Sequence, residues 1–177
     1  MFERTVSGEV VARSFLLAEA LKKAPPDRDA FRAMLEEERK KIAALTIKDL
    51  FAQIDSDRRK RFEMGQWVFT IVNLDRCAVW PGMGGEDWAR GPVSKISGLF
   101  PSKAMPGSRT RVIRERILEV YSEFPLILIR TRSDHSRYRI EDGSHRAIAY
   151  YLAGMKQAFA FVARVPSSCN LTWKWEG

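Results

Sequence analysis

Apolar residues in the first third of the chain recur three or four positions apart, between residues 10 and 21 and again between 31 and 45. This spacing predicts two amphipathic helices, separated by Pro25-Pro26. Asp27 is a candidate N-cap for the second helix, and Thr46 begins a sequence that resembles a capping box. Asp55-Ser56-Asp57 then breaks or recaps the third helix. The pattern therefore predicts an all-helical N-terminal extension over residues 1–65.

From residue 66 onward the pattern becomes that of strands. Four short runs are rich in β-branched, aromatic or aliphatic residues and predict strands at 67–74, 126–129, 138–140 and 158–163. Glycines and prolines crowd residues 80–107 and predict a loop with one helical turn near Ile96–Leu99. Ser108 or Thr110 can cap the helix that follows and ends before Pro125. Residues 66–177 thus read as a second unit, and the fold class is α+β, a mixed sheet with flanking helices.

The net charge of the chain bears on the kinds of molecule it could bind. Thirty Lys and Arg against 22 Asp and Glu give a formal charge of +8, which favours nucleic acid, nucleotides or an acidic membrane surface. A basic protein with no such partner fits the number equally well.

Cysteine and histidine usage does not favour a metal or disulfide framework. Cys77 and Cys169 form no CxxC pattern, and the chain has two histidines. No signal-peptide pattern and no apolar stretch of about 20 residues occurs. The expectation is a soluble cytoplasmic protein.

Two arginine-rich stretches are candidate DNA contacts. The first is the run Arg58-Arg59-Lys60-Arg61, which reads either as a solvated helix face or as a phosphate-backbone contact. The second is a predicted hairpin that places Arg130, Arg132, Arg137 and Arg139 close together. Their repulsion favours a bound anion there, unless the side chains spread into water.

The stretch Asp142-Gly143-Ser144-His145-Arg146 lies where a strand ends and a helix begins. The first N–H groups of a helix favour anions, and the helix dipole disfavours the cations that this sequence places there. Bound phosphate would relieve that conflict, with Ser144 either capping the helix or contacting a phosphate oxygen. An Asp-Gly turn followed by an unremarkable helix explains the same residues.

Glu141 and Asp142 precede this turn and point to opposite faces of a strand. One of them could therefore enter a phosphate site and hold Mg²⁺ or orient a water molecule. A solvent-facing glutamate beside a tight turn is the alternative.

The segment "YRIEDGSHRAIAYYLAGMKQAFAFV" resembles the ParB/sulfiredoxin superfamily. It is similar to that superfamily's strand, Gly-x-His-Arg box, Gly-terminated helix and closing strand. "IVNLDRCAVWPG" and "RTRVIRERILEVYSEFPLILIR" are similar to earlier parts of the domain, so the resemblance covers roughly half the chain.

The resemblance implies a small α+β domain that binds a nucleoside triphosphate, with Gly143, Ser144, His145 and Arg146 as the phosphate box. Ser108 and Thr110 join this predicted nucleotide-binding set. Sulfiredoxins carry a cysteine where this chain has Ser144, so sulfinic-acid repair is not expected. The CTP-dependent clamps of the family carry a helix-turn-helix reader after the box, and residues 154–177 show none.

The helical extension is most similar to the compact, plasmid-encoded fertility-inhibition members of the superfamily. That likeness implies an ATPase and DNA nuclease that blocks DNA transfer through a type IV secretion system. Glu141, Asp142, His145 and Arg146 would be catalytic, ATP and Mg²⁺ would be cofactors, and DNA the substrate.

Two other hypotheses remain open. The chain could be a non-enzymatic nucleotide- and DNA-binding inhibitor that occludes a secretion coupling ATPase or a relaxase complex. A small-molecule kinase is the third, and it needs a substrate pocket that the sequence does not reveal.

Overall fold

A computed structural model describes residues 2–20, 23–25, 27–79, 91–99, 123–130 and 138–164. The helices are α1 (Gly8–Ala20), α2 (Arg28–Ala44), α3 (Ile47–Ala52), α4 (Ser56–Met64), α5 (Val93–Leu99) and α6 (Ser144–Leu152). The strands are β1 (Glu3–Val6), β2 (Gln66–Asn73), β3 (Cys77–Val79), β4 (Gly91–Pro92), β5 (Leu126–Arg130), β6 (Tyr138–Asp142) and β7 (Gln157–Arg164).

Side-chain caps begin the helices of the N-terminal third as the sequence predicts. Asp27 accepts a hydrogen bond from the Ala30 N–H (2.8 Å) and starts α2. Thr46 accepts one from the Asp49 N–H (3.2 Å) and starts α3. Asp55 accepts one from the Arg58 N–H (3.0 Å) and recaps the chain into α4. Each cap satisfies a donor that has no intrahelical acceptor.

The described strands form one mixed sheet of order β1-β2-β7-β5-β6-β3-β4. The β5–β7 and β3–β6 pairs are parallel, and the other neighbours are antiparallel. β5 and β6 pair as predicted, with Arg130 opposite Tyr138. The α+β class with a mixed sheet and flanking helices is therefore confirmed.

Apolar residues are buried on both faces of this sheet. On one face α5 and α6 pack over residues such as Leu126, Leu128 and Ile140. On the other, α1, α3 and α4 pack over Trp67, Ile127 and Phe161. α1 and α2 contribute to both clusters, so the N-terminal helices share their core with the strands.

The prediction that residues 1–65 are entirely helical is wrong at Glu3–Val6. Glu3–Val6 forms β1 and pairs antiparallel with β2, which places Arg4 opposite Phe69. The side chains of β1 are mostly exposed, so the segment carries no hydrophobic alternation that would indicate a strand. Pairing with β2 is what places this exposed segment in the sheet. A domain boundary at residue 65 stays a prediction.

Among the described helices, none combines the length and the apolar character needed to cross a membrane.

Candidate functional site: the turn between β6 and α6

The predicted order of strand, glycine turn and helix is present where β6 leads into α6. β6 ends at Asp142, Gly143 takes the N-cap position, and α6 begins at Ser144. The first hydrogen bond within the helix runs from the Ala147 N–H to the Gly143 carbonyl, at 2.8 Å. The N–H groups of residues 144–146 therefore precede the helical ladder, as in anion sites at helix N-termini. Ser144 is the first helical residue and does not cap α6.

Gly143 is required by its backbone and its surroundings. Its φ of +100° lies in the left-handed region, which residues with a Cβ avoid. An added Cβ would lie 2.8 Å from Leu126 Cδ2 and 3.0 Å from Arg146 Nη2. The turn can therefore be this tight only with glycine.

Arg146 points into the protein instead of into a phosphate site. The residue is 4% exposed, and Nη1 donates to the carbonyls of Phe124 (3.2 Å) and Pro125 (3.1 Å). Nη2 donates to the carboxylate of Asp142 in a close ion pair across the turn. The guanidinium thus ties α6 to the start of β5 and to the end of β6. The prediction that Arg146 binds phosphate directly finds no support in this geometry.

Glu141 lies on the face of β6 opposite to Asp142, and three arginine side chains approach its carboxylate. Arg61 Nη2 donates to Oε1 at 2.6 Å, and Arg139 Nη2 donates to Oε2 at 2.7 Å. Arg58 Nε lies 3.9 Å from Oε1. The Glu141 side chain is only 8% exposed, so this carboxylate connects α4 to the sheet. The two carboxylates do lie on opposite faces, as their adjacent positions in a strand predict.

A divalent cation does not fit these two carboxylates as the structure arranges them. Both are occupied by guanidinium groups, and a metal ion next to those groups would be repelled. In the described ranges no cluster of three His, Cys, Asp or Glu side chains forms a candidate metal site. As arranged here, Glu141 and Asp142 bind arginines and do not form a metal site.

The basic run on α4 is largely neutralised by its neighbours. Arg58 pairs with Asp55 (3.0 Å), and Arg59 pairs with Glu63 (2.9 Å). The Arg58 N–H holds the pKa of Asp55 below its ordinary value by bonding the ionised carboxylate. The buried Nε atoms of Arg58 and Arg61 have no hydrogen-bond partner. These two N–H groups are unused hydrogen-bond donors next to Glu141. Lys60 adds a positive charge to α4, whose three arginines are paired.

Several predicted residues lie outside the described part of the structure. Ser108, Thr110, Arg132 and Arg137 fall in residues 100–122 and 131–137. For Arg130 the backbone in β5 is described and the side chain is not. The predicted crowding of four arginines is thus untested, although Arg139 is engaged by Glu141. His145 is the second residue of α6 and is partly exposed.

Sequence reasoning missed the backbone acceptors that bury Arg146. Phe124 and Pro125 precede it by more than 20 residues, and carbonyl groups leave no signature in a sequence. The sequence did contain a signal for the Arg139–Glu141 pair, because residues two positions apart in a strand share a face. The Arg61–Glu141 contact spans 80 residues and had none.

Comparison of the chain with known protein families, with curated proteins and with solved structures finds no match.

Proposed function

We propose that this chain is a nucleotide- and DNA-binding protein of the ParB/sulfiredoxin type. In this proposal it is an ATP-hydrolysing DNase that inhibits DNA transfer through a type IV secretion system. The observation that carries the proposal is the β6–α6 turn, where a left-handed glycine leads directly into a helix N-terminus. The sequence resemblance supplies the nuclease activity and the biological setting.

Each residue of the box receives a distinct role in the proposal. The N–H groups at the start of α6 and the hydroxyl of Ser144 would contact the phosphates. The imidazole of His145 would transfer protons in the box. Arg146 and Asp142 would act as positioning residues, because their ion pair holds the turn in shape.

Substitution of Ser144 separates phosphate binding from stability. Ser144→Glu places a carboxylate in the first turn, where it stabilises the helix by roughly 0.3–1 kcal/mol. The same carboxylate would repel a triphosphate, so we expect nucleotide affinity to fall at least about tenfold. Ser144→Gln is as large as Ser144→Glu but carries no charge, so it loses the same hydroxyl contact and should bind nucleotide at least about tenfold more tightly than the Glu variant. Equal nucleotide affinity in the Glu and Gln variants would remove the turn from the proposal.

A non-enzymatic inhibitor is the second candidate function, and one observation favours it. Glu141 and Asp142, the predicted catalytic carboxylates, are both engaged by arginines. In this alternative the box binds nucleotide as a conformational signal, and the protein blocks a coupling ATPase or relaxase complex. Purified protein incubated with ATP, Mg²⁺ and linear DNA distinguishes the two candidates. Intact DNA and no released phosphate favour the inhibitor, whereas degradation that Ser144→Glu abolishes favours the enzyme.

A further inference from the structure

A cavity of about 570 Å³ lies between the sheet and the helices α1 and α2. Its lining crosses the sheet from Arg4 on the edge strand β1, past Phe161 on β7, to Pro125 immediately before β5. Neighbouring strands lie about 4.8 Å apart, so β1 and β5, three spacings apart in the sheet order, are separated by roughly 14 Å. The cavity is therefore elongated, and its volume falls in the range of about 300–1,000 Å³ that is usual for small-molecule sites.

Most of the lining between the two ends of the cavity is apolar. Val6 and Leu17 are partly buried, and Ile42 and Phe161 are buried. Val10 also lines the cavity and is 44% exposed. Such a lining favours a ligand with an apolar body, because binding removes the apolar surfaces of both partners from water.

Hydrogen bonds fix α1 against α2 beside the cavity. Arg13 Nη1 donates to the carbonyl of Ile42, and Nη2 donates to the carbonyl of Leu45 at 3.0 Å. The Glu9 carboxylate accepts from Nε (3.0 Å) and from Nη2 (2.8 Å) of the same guanidinium. The two helical walls are thus held in place without a ligand, which lowers the entropy lost on binding.

The two ends of the cavity differ in charge. At the end near Pro125, Arg39 pairs with both Glu36 and Glu123, so two carboxylates share one guanidinium. At the other end Arg4 is exposed, and no carboxylate in the described part of the chain pairs with it. An anionic group is therefore attracted to the Arg4 end and repelled from the opposite end.

We propose that this cavity binds a medium-chain fatty acid, with its carboxylate at Arg4 and its alkyl chain between the sheet, α1 and α2. The length and apolar character of the lining fit an unbranched chain, and the guanidinium of Arg4 fits one carboxylate. Residues 142–146 do not line the cavity, so the site is separate from the β6–α6 turn. The inference goes beyond the proposed function and does not depend on it.

Isothermal titration calorimetry with decanoate, below its micelle concentration and without nucleotide or DNA, tests the alkyl-chain contacts. Each methylene removed from the ligand should weaken binding about fourfold, so octanoate should bind about 15-fold more weakly than decanoate. Ala43 lines the cavity from α2 and is exposed, so Ala43→Phe obstructs the cavity at a position that tolerates a larger side chain. This variant should bind decanoate at least about tenfold more weakly, and far-ultraviolet circular dichroism confirms that it is folded.

Arg4→Gln tests the carboxylate contact. It should weaken decanoate binding about 2- to 5-fold, the effect of removing an exposed ion pair. The same variant should leave the affinity for decan-1-ol, which has the chain without the charge, unchanged. Lys48→Gln is the matched control, because Lys48 is exposed on α3 and does not line the cavity. It removes the same charge and should leave the affinity for both ligands unchanged.

Four results would overturn the inference. The natural chain could fail to bind decanoate, or it could bind octanoate equally well. Ala43→Phe could leave decanoate binding unchanged, which would place the ligand outside the cavity. Equal effects of Arg4→Gln and Lys48→Gln on decanoate would show that only net charge matters. A dimer in sedimentation that Ala43→Phe converts to monomer would assign the cavity to a second copy of the chain and would also overturn it.

Discussion

Replacing Arg146 with alanine tests whether this side chain braces the β6–α6 turn or serves as a phosphate ligand. The substitution removes the guanidinium of a residue that is 4% exposed. It leaves the carbonyls of Phe124 and Pro125 without this donor, and Asp142 without its ion-pair partner. We expect the free energy of unfolding to fall substantially.

The magnitude follows from these contacts. Removing one partner of a buried ion pair costs about 3–5 kcal/mol, and a buried acceptor left unsatisfied costs about 1–3 kcal/mol. These terms overlap here, because the Tyr150 hydroxyl still donates to Phe124 (3.4 Å) and the Asp142 side chain is 19% exposed. We therefore expect a total loss of about 3–4 kcal/mol, a large share of the stability of an ordinary domain.

Urea unfolding followed by tryptophan fluorescence measures this loss, since Trp67 is fully buried in the native state. Ser144→Ala is the control, because the Ser144 hydroxyl does not cap α6 and its removal should change stability by about 0.5 kcal/mol or less. In a double-mutant cycle with Asp142→Asn, the two sites should show a coupling of about 1–3 kcal/mol.

One result would refute the bracing role. If Arg146→Ala loses less than about 1 kcal/mol of stability while its nucleotide affinity falls at least tenfold, Arg146 is a ligand. The side chain would then have to leave the carbonyl groups that hold it in this structure.

Three further outcomes follow from the described residues. Gly143→Ala should lower the free energy of unfolding by about 1–3 kcal/mol because residue 143 has a positive φ. Gly98→Ala, where α5 leaves open space, should raise the free energy of unfolding by up to about 1 kcal/mol. Urea unfolding that ranks the two variants in the opposite order contradicts the backbone argument. The lowered pKa of Asp55 means that its ionised form adds stability above the unfolded pKa, and that this stability is lost as the pH falls through the lower, folded pKa. Asp55→Asn retains a capping oxygen and should flatten the acid side of the stability–pH curve. Burial raises the pKa of the Cys77 thiol to about 12, so in a Cys169→Ser background a disulfide reagent at neutral pH should label Cys77 only on unfolding.

Much of the local structure could be predicted from the sequence, because it depends on neighbours within one helical turn. Asp27, Thr46 and Asp55 cap helices through hydrogen bonds to residues three positions later. Gly154 ends α6 with a positive φ, and the Met155 N–H bonds the Tyr150 carbonyl at 3.0 Å, as a C-terminal glycine predicts. The strand–glycine–helix order of the phosphate box is local in the same way.

The direction of the side chains at the box could not be predicted from the sequence. Arg146 follows Gly143 by three positions, which placed it correctly near the turn but did not show that it is buried. That outcome depends on the carbonyls of Phe124 and Pro125, which reach α6 only when β5 joins the sheet. For Glu141 the deciding partner, Arg61, is 80 residues away.

The sequence by itself determined where α2, α3 and α4 begin, which runs form the central strands, and that a helix begins directly after Gly143. These features follow from hydrogen bonds and steric limits within a few residues. Only the tertiary structure decided that residues 3–6 form an edge strand and that Arg146 and Glu141 are buried in ion pairs. It also brought the rings of Phe69 and Phe159 into stacking contact, because strands distant in the chain become neighbours only through sheet pairing.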